Sequence, residues 1–220
     1  MKSKSYNGQV IPINRDNVDT DLIIPKQYLK SIKKSGFGPF LFDSLRYNDT
    51  ATLDSNDERE ENSEFILNRE PFRKGNILVS KSNFGCGSSR EHAVWAIQNY
   101  GIDVVIAESF ADIFSRNSFK NGLLLITLDL LTVNQIIDSS LSSNSYKLDV
   151  NLAEGKILLP DDKTITFSIS RSYKDRIIDE LDDIELTLRN KDQIKNYENQ
   201  MKLSKPCLLY TSDAADDGYR

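Results

Sequence analysis

The stretch Asn83-Phe84-Gly85-Cys86-Gly87-Ser88-Ser89-Arg90-Glu91-His92 leaves the chain few ways to fold around it. It follows a short apolar run, Asn76 to Ser80, with the length and branching of a strand. It opens a second run in which Ala93, Ala96, Ile97 and Tyr100 recur at i, i+3, i+4 and i+7, one face of a helix. The order is therefore strand, glycine turn, helix N-terminus. Gly85 and Gly87 permit positive φ and let a ligand approach the backbone closely. Ser88 or Ser89 is placed to cap the helix, and Glu91, three residues after Ser88, completes a capping box. The sequence thus predicts a helix over Ser88 to Tyr100 whose N-terminus faces an open groove. Unpaired N–H groups and the positive end of the dipole suit an anion there, and Arg90 adds a forked donor for carboxylate or phosphate.

A packing turn and a plain helix cap would use the same residues, so on these features alone both readings stand. Two familiar phosphate loops are excluded. No Gly-Lys-Ser/Thr follows, as a Walker loop requires, and Arg90 occupies the place of the third glycine of the dinucleotide fingerprint.

The full string adds a family likeness to these readings. Gly85 to His92 resembles the GxGSSREH signature of the small, swivelling domain of the aconitase superfamily. More closely, the chain resembles the family of 3-isopropylmalate dehydratase small subunits. Three further blocks agree in order: Asn17-Val18-Asp19-Thr20-Asp21 running on through Ile24-Pro25-Lys26; Ser35-Gly36-Phe37-Gly38 with Leu41-Phe42; and Ser109 to Phe114 with Asn117 and Asn121 to Leu124. The likeness runs from about Tyr6 to Tyr197.

That resemblance implies an α/β fold, an aconitase-like swivelling domain with β/β/α layers, a mixed sheet, a parallel βαβ core and appended hairpin strands. It implies a hydro-lyase subunit of leucine biosynthesis that interconverts 2- and 3-isopropylmalate by removing and restoring water. Activity would need a large subunit carrying an iron–sulfur cluster, in a heterodimer or a dimer of heterodimers. Ser88 would abstract the proton, Ser89, Arg90 and Gly87 would hold the dicarboxylate, and Asp19, Thr20 and Asp21 would face the same site. A homoaconitase-like small chain, or a carboxylate- or phosphate-binding module without catalysis, are the alternatives. One departure stands out: Glu180 and Glu185 occupy positions where the family typically has glycines.

The rest of the sequence fits this picture. Net charge of −5 and a pI near 5.1 argue against a nucleic-acid partner. No apolar run is long enough for a membrane span and no signal-peptide core follows Met1, so a cytoplasmic location is expected. Two cysteines, Cys86 and Cys207, and one histidine, His92, form no metal motif. No cofactor is expected on this chain, because clusters normally take several Cys ligands.

The alternation of elements also predicts strands at Tyr6 to Ile13, Asp103 to Ala107, Leu123 to Thr127, Tyr146 to Val150, Lys156 to Leu159 and Thr164 to Ile169. Helices are expected at Pro25 to Lys33, from a Ser109 cap to Ser118, at Thr132 to Leu141, Ser172 to Glu180 and Lys191 to Met201. Lys34 to Pro39 is a glycine-rich loop able to close over a substrate. Asn48 to Ser63 is an exposed polar excursion in which Glu58 and Glu60 are solvated. One domain is expected over residues 1–206. From Cys207 onward the chain resembles a translated sequencing adapter and packs against nothing on this reading.

Overall fold

In a computed structural model of the chain, the described residues are 4–30, 34–49, 59–88, 90–179 and 183–205. They divide between two compact units that part after residue 180, where the sequence reading carries a single domain to residue 206.

The first unit is built on one seven-stranded sheet. Its strands are β1 (Ser5–Ile13), β2 (Ile77–Ser80), β3 (Val104–Ala107), β4 (Leu124–Thr127), β5 (Lys147–Asn151), β6 (Lys156–Leu158) and β7 (Thr164–Thr166). The spatial order is β4-β3-β2-β1-β5-β6-β7. β1 to β4 pair in parallel, while β5, β6 and β7 extend the sheet antiparallel from the far side of β1. This is the mixed sheet expected from the sequence, with its parallel core and appended hairpins. The helices are α1 (Thr20–Ile23), α2 (Asp43–Arg46), α3 (Glu91–Tyr100), α4 (Asp112–Asn121), α5 (Leu130–Leu141) and α6 (Arg171–Asp179).

Continuous apolar strands such as β3, Val-Val-Ile-Ala, are buried throughout because both faces are covered. Val105 and Ala107 join the core that holds Ala93, Ala96 and Ile97 of α3 and Phe114 of α4. Val104 and Ile106 point the other way, to the core with Val133, Ile136 and Ile137 of α5 and Ile177 of α6. The period of two in the strands thus sorts the helices into two layers. α3 and α4 both end on left-handed glycines, Gly101 (φ +104) and Gly122 (φ +73), so the chain turns directly into β3 and β4.

Several boundaries shift from the sequence reading. α3 begins at Glu91 and not at Ser88, with Arg90 as its N-cap in extended conformation. α4 begins at Asp112 after Ala111; the Ser109 hydroxyl instead accepts from the Asn83 N–H at 2.8 Å. α5 starts two residues earlier than expected because the Asp129 side chain caps it by accepting from the Thr132 N–H. The Pro25 helix is a 3-10 turn over Lys26–Lys30, and residues 31–33 lie outside the described residues. The polar excursion is not all solvated. Arg59 reaches inward to Asp43 at 2.8 Å and Asp49 at 2.6 Å and lies over the Tyr47 ring. Glu60 accepts from Asn48 at 3.2 Å; Glu58 lies outside the described residues.

The second unit holds α7 (Asp183–Leu188) and α8 (Lys191–Ser204). Glu185 sits inside α7, in a helix that a side chain enters without strain. Glu180 and the tail from residue 206 on lie outside the described residues.

Candidate active site at the carboxyl ends of the parallel strands

Three segments meet where β1, β2 and β3 end, the place where open parallel sheets bind ligands. The turn after β2 is the middle one. On one side its Gly85 N–H donates to the Val18 carbonyl (2.7 Å), and its Cys86 carbonyl accepts from the Thr20 N–H (3.0 Å). On the other side the Phe84 N–H donates to the Ser109 carbonyl (3.0 Å) and the Phe84 carbonyl accepts from the Ala111 N–H (3.0 Å). These contacts continue the parallel ladder past the strands, as bridges Asp19 to Cys86 and Phe84 to Phe110.

Beneath the turn, Phe84 is fully buried, edge-on to Phe114 with ring centroids 5.4 Å apart. Gly85 has φ +77, and a Cβ there would lie 2.2 Å from Phe114 Cγ. This glycine is needed twice, for its backbone sign and for the close passage of the ring. Gly87 also has a positive φ, +85, but a Cβ on it would meet nothing nearer than Thr20 Oγ1 at 3.7 Å. A side chain there would sit in ordinary contact with the Asp19 loop.

Ser88 and Arg90 are exposed at the start of α3. The expected capping box is not formed. Glu91 turns away to an ion pair with Lys120 Nζ at 3.0 Å and accepts from Asn121 Nδ2 at 3.3 Å. The hydrogen bond from Lys120 holds the Glu91 carboxyl below its ordinary value despite partial burial. Freed from capping, the Ser88 hydroxyl stands ahead of a helix whose first N–H groups lack i−4 partners, the Ala93 N–H reaching back to the Arg90 carbonyl at 3.1 Å. Among the described residues no carboxylate pairs with Arg90, so its fork is open to an anion. Ser89 lies outside the described residues.

The Asp19 loop closes the other side. The Asp19 carboxylate accepts from the Leu22 N–H at 2.6 Å, capping α1, which assigns it first to holding the backbone. Thr20 is buried, and Asp21 is exposed in an ion pair with Lys26 at 3.2 Å. Thr20, Asp21, Ile24 and Leu29 line a small concavity together with Ser88 and Arg90. The structure therefore brings Asp19, Thr20, Asp21, Gly87, Ser88 and Arg90 together at one sheet end.

The glycine-rich loop is anchored from beneath. Phe37 is buried, edge-on to the His92 ring at 5.3 Å, and its N–H donates to Asn99 Oδ1 at 3.2 Å. His92 also packs on Trp95, whose Nε1 donates to Asn121. Sequence reasoning did not find this bracing of α3 by α4 through Asn121, because Asn121 marks itself only as a residue near a helix end.

Cys86 is half-buried, and burial, followed by the Asp19 carboxylate, pushes its thiol above the ordinary range. A neutral thiol is a poor ligand. Among the described residues no three His, Cys, Asp or Glu side chains converge on a metal position. This donor set does not fit an iron–sulfur cluster.

The chain matches the family model described as the aconitase C-terminal domain over residues 2–130. It is 47% identical to a 3-isopropylmalate dehydratase small subunit of Aromatoleum aromaticum, covering 91% of this chain and 94% of that one. A 3-isopropylmalate dehydratase small subunit of Hahella chejuensis is 46% identical over 94% of this chain and 97% of its own. Among solved structures, 3-isopropylmalate dehydratase (leuD) of Methanocaldococcus jannaschii superposes with a TM-score of 0.61 at 27% identity. The match covers 88% of this chain and 99% of that one.

Proposed function

The chain belongs to the aconitase C-terminal domain family and, within it, to the 3-isopropylmalate dehydratase small subunits, and from that premise we propose how its exposed helix start does chemistry. The protein is the small subunit of a hydro-lyase that interconverts 2- and 3-isopropylmalate in leucine biosynthesis. It acts with a large subunit, which on this reading carries the iron–sulfur cluster.

Ser88 is the proton-abstracting group. It takes the proton from the carbon next to the one bearing the hydroxyl. The C–H electron pair becomes the new double bond and the hydroxyl leaves from its neighbour. Adding water back with the opposite placement gives the isomer, with the Ser88 proton returned to carbon. A serine oxygen is weakly acidic in water, so its anion needs a field. The N-terminus of α3 and the Arg90 guanidinium supply positive potential where that charge develops. Arg90, with Ser89 and the Gly87 backbone, grips a substrate carboxylate as a bidentate donor. Asp21 and Thr20 border the site, and Asp19 keeps their loop in place.

The observation that carries this reading is the pairing of an exposed, non-capping Ser88 with an Arg90 that no carboxylate neutralises among the described residues. Ser88→Ala in the assembled enzyme tests it. Turnover should fall roughly a hundredfold or more, the scale of a lost general base. Because Ser88 caps no helix, stability should move by only about 0.5 kcal/mol, as for other exposed sites. A variant with near-normal turnover would remove Ser88 from the mechanism.

A further inference from the structure

We propose that Asn17 and Asn83 form a positioning pair that sets the distance between the Asp19 loop and the Ser88 turn. The proposal rests on the reading of the site given above.

β1 and β2 run side by side as far as Ile13 and Ser80. Six residues later, Asp19 and Cys86 are again partners in the same register. Between those points each segment turns on a left-handed asparagine, Asn17 at φ +52 and Asn83 at φ +57. Asparagine is among the few side chains that tolerate this region. The two amides meet across the gap, Asn83 Nδ2 donating to Asn17 Oδ1 at 2.7 Å.

The bend is secured on all sides. The Asn17 N–H donates to the Ser82 carbonyl at 2.9 Å. The Asp16 carboxylate accepts from both the N–H (3.1 Å) and the hydroxyl (2.7 Å) of Ser82. The Asn83 N–H donates to Ser109 Oγ, which adds the segment after β3. Asn83 thus touches both neighbouring segments, five residues before Ser88. Each asparagine is exposed, and an exposed amide pair contributes little to overall stability. Its consequence is geometric: two independent left-handed bends become one, so the loop carrying Asp19 to Asp21 and the turn carrying Gly87 to Arg90 leave the sheet at a fixed separation.

The test uses the assembled enzyme with its large subunit and measures kcat, KM and melting temperature. Asn17→Gly and Asn83→Gly keep the backbone unstrained and remove the pair. Each should lower kcat/KM roughly tenfold to a hundredfold, the penalty of misplacing a group by about 1 Å. The double glycine variant should be no worse than the poorer single one. Asn17→Asp still accepts from the Asn83 amide and should recover most of the activity. Adding Asn83→Asp to it sets two acceptors face to face and should lose that activity again. This pair of Asp variants decides the matter if the glycine variants fail to fold.

A merely structural pair would lower the melting temperature while leaving kcat/KM of the folded enzyme unchanged. That result, losses that add across the two sites, or an Asn17→Asp variant as impaired as Asn17→Gly would each overturn the proposal. Wild-type enzyme and Ser88→Ala run in the same assay separate the two claims. An inactive wild-type assembly defeats the proposed function and this inference with it. An active wild type, an inactive Ser88→Ala and fully active pair variants defeat the positioning claim alone.

Discussion

Arg90 is the N-cap of α3 yet makes no side-chain cap hydrogen bond, and its guanidinium is exposed. A helix start is an unusual place for an arginine unless an anion shares it, since the dipole there repels cations. Lysine would keep the charge and lose the planar fork. Arg90→Lys in the assembled enzyme should therefore raise KM for isopropylmalate strongly, and lower kcat as well if the grip tightens in the transition state. Unchanged Michaelis kinetics would remove Arg90 from the site. At this scale the sequence was legible where a residue's chemistry is rare in its setting, as with the exposed Arg90 at a helix start. It was not legible where one residue type serves two ends. Glu91 sits where a capping box would put it, but a lysine and an asparagine from α4, remote in sequence, hold it more strongly. Asp19 looks like a polar loop residue and is a cap.

The glycine turn and the two helices around it form the element that positions the site. Gly85 and Gly87 share a left-handed φ but differ in their surroundings. Gly85→Ala should destabilise the protein by about 2–4 kcal/mol, combining left-handed strain with overpacking against Phe114. Gly87→Ala should cost only about 1 kcal/mol, from the backbone alone. Equal melting shifts for the two would contradict this packing. The α3–α4 junction should also respond to acid. The Glu91 carboxyl is held below its ordinary 4.5, so its contribution is fully present above that value and is lost as the pH falls through the lowered one. Glu91→Gln should flatten the pH dependence of stability below about pH 4.5, by no more than about 1 kcal/mol for a partly exposed pair. A variant with the same acid limb as the parent would assign that limb elsewhere. The strand–turn–helix order was readable because periodicity changes from two to 3.6 at the turn. The first residue of α3 was not, because serine caps and serine loops look alike until the backbone is seen.

On the scale of the whole molecule, the parallel pairing of β2, β3 and β4 followed from apolar runs alternating with amphipathic helices, whereas the strand order, with β1 between the parallel and antiparallel halves, did not. The parting after residue 180 did not, because α6 and the helices beyond it carry similar charged sequences, and only packing tells them apart. The open side of the site follows from the same architecture. Three strand ends deliver the polar groups to one edge, and among the described residues no three His, Cys, Asp or Glu side chains converge on a metal position. On the function proposed above, this chain is half of an active site that a large subunit with an iron–sulfur cluster completes. The direct measurement is isopropylmalate turnover, followed anaerobically for this chain alone, for the large subunit alone, and for the two mixed in increasing ratio. Negligible turnover is expected in each separate sample, with activity that rises on mixing to a stoichiometric plateau. Turnover by this chain alone, or a mixed complex that forms and remains inactive on 2- and 3-isopropylmalate, would contradict that expectation.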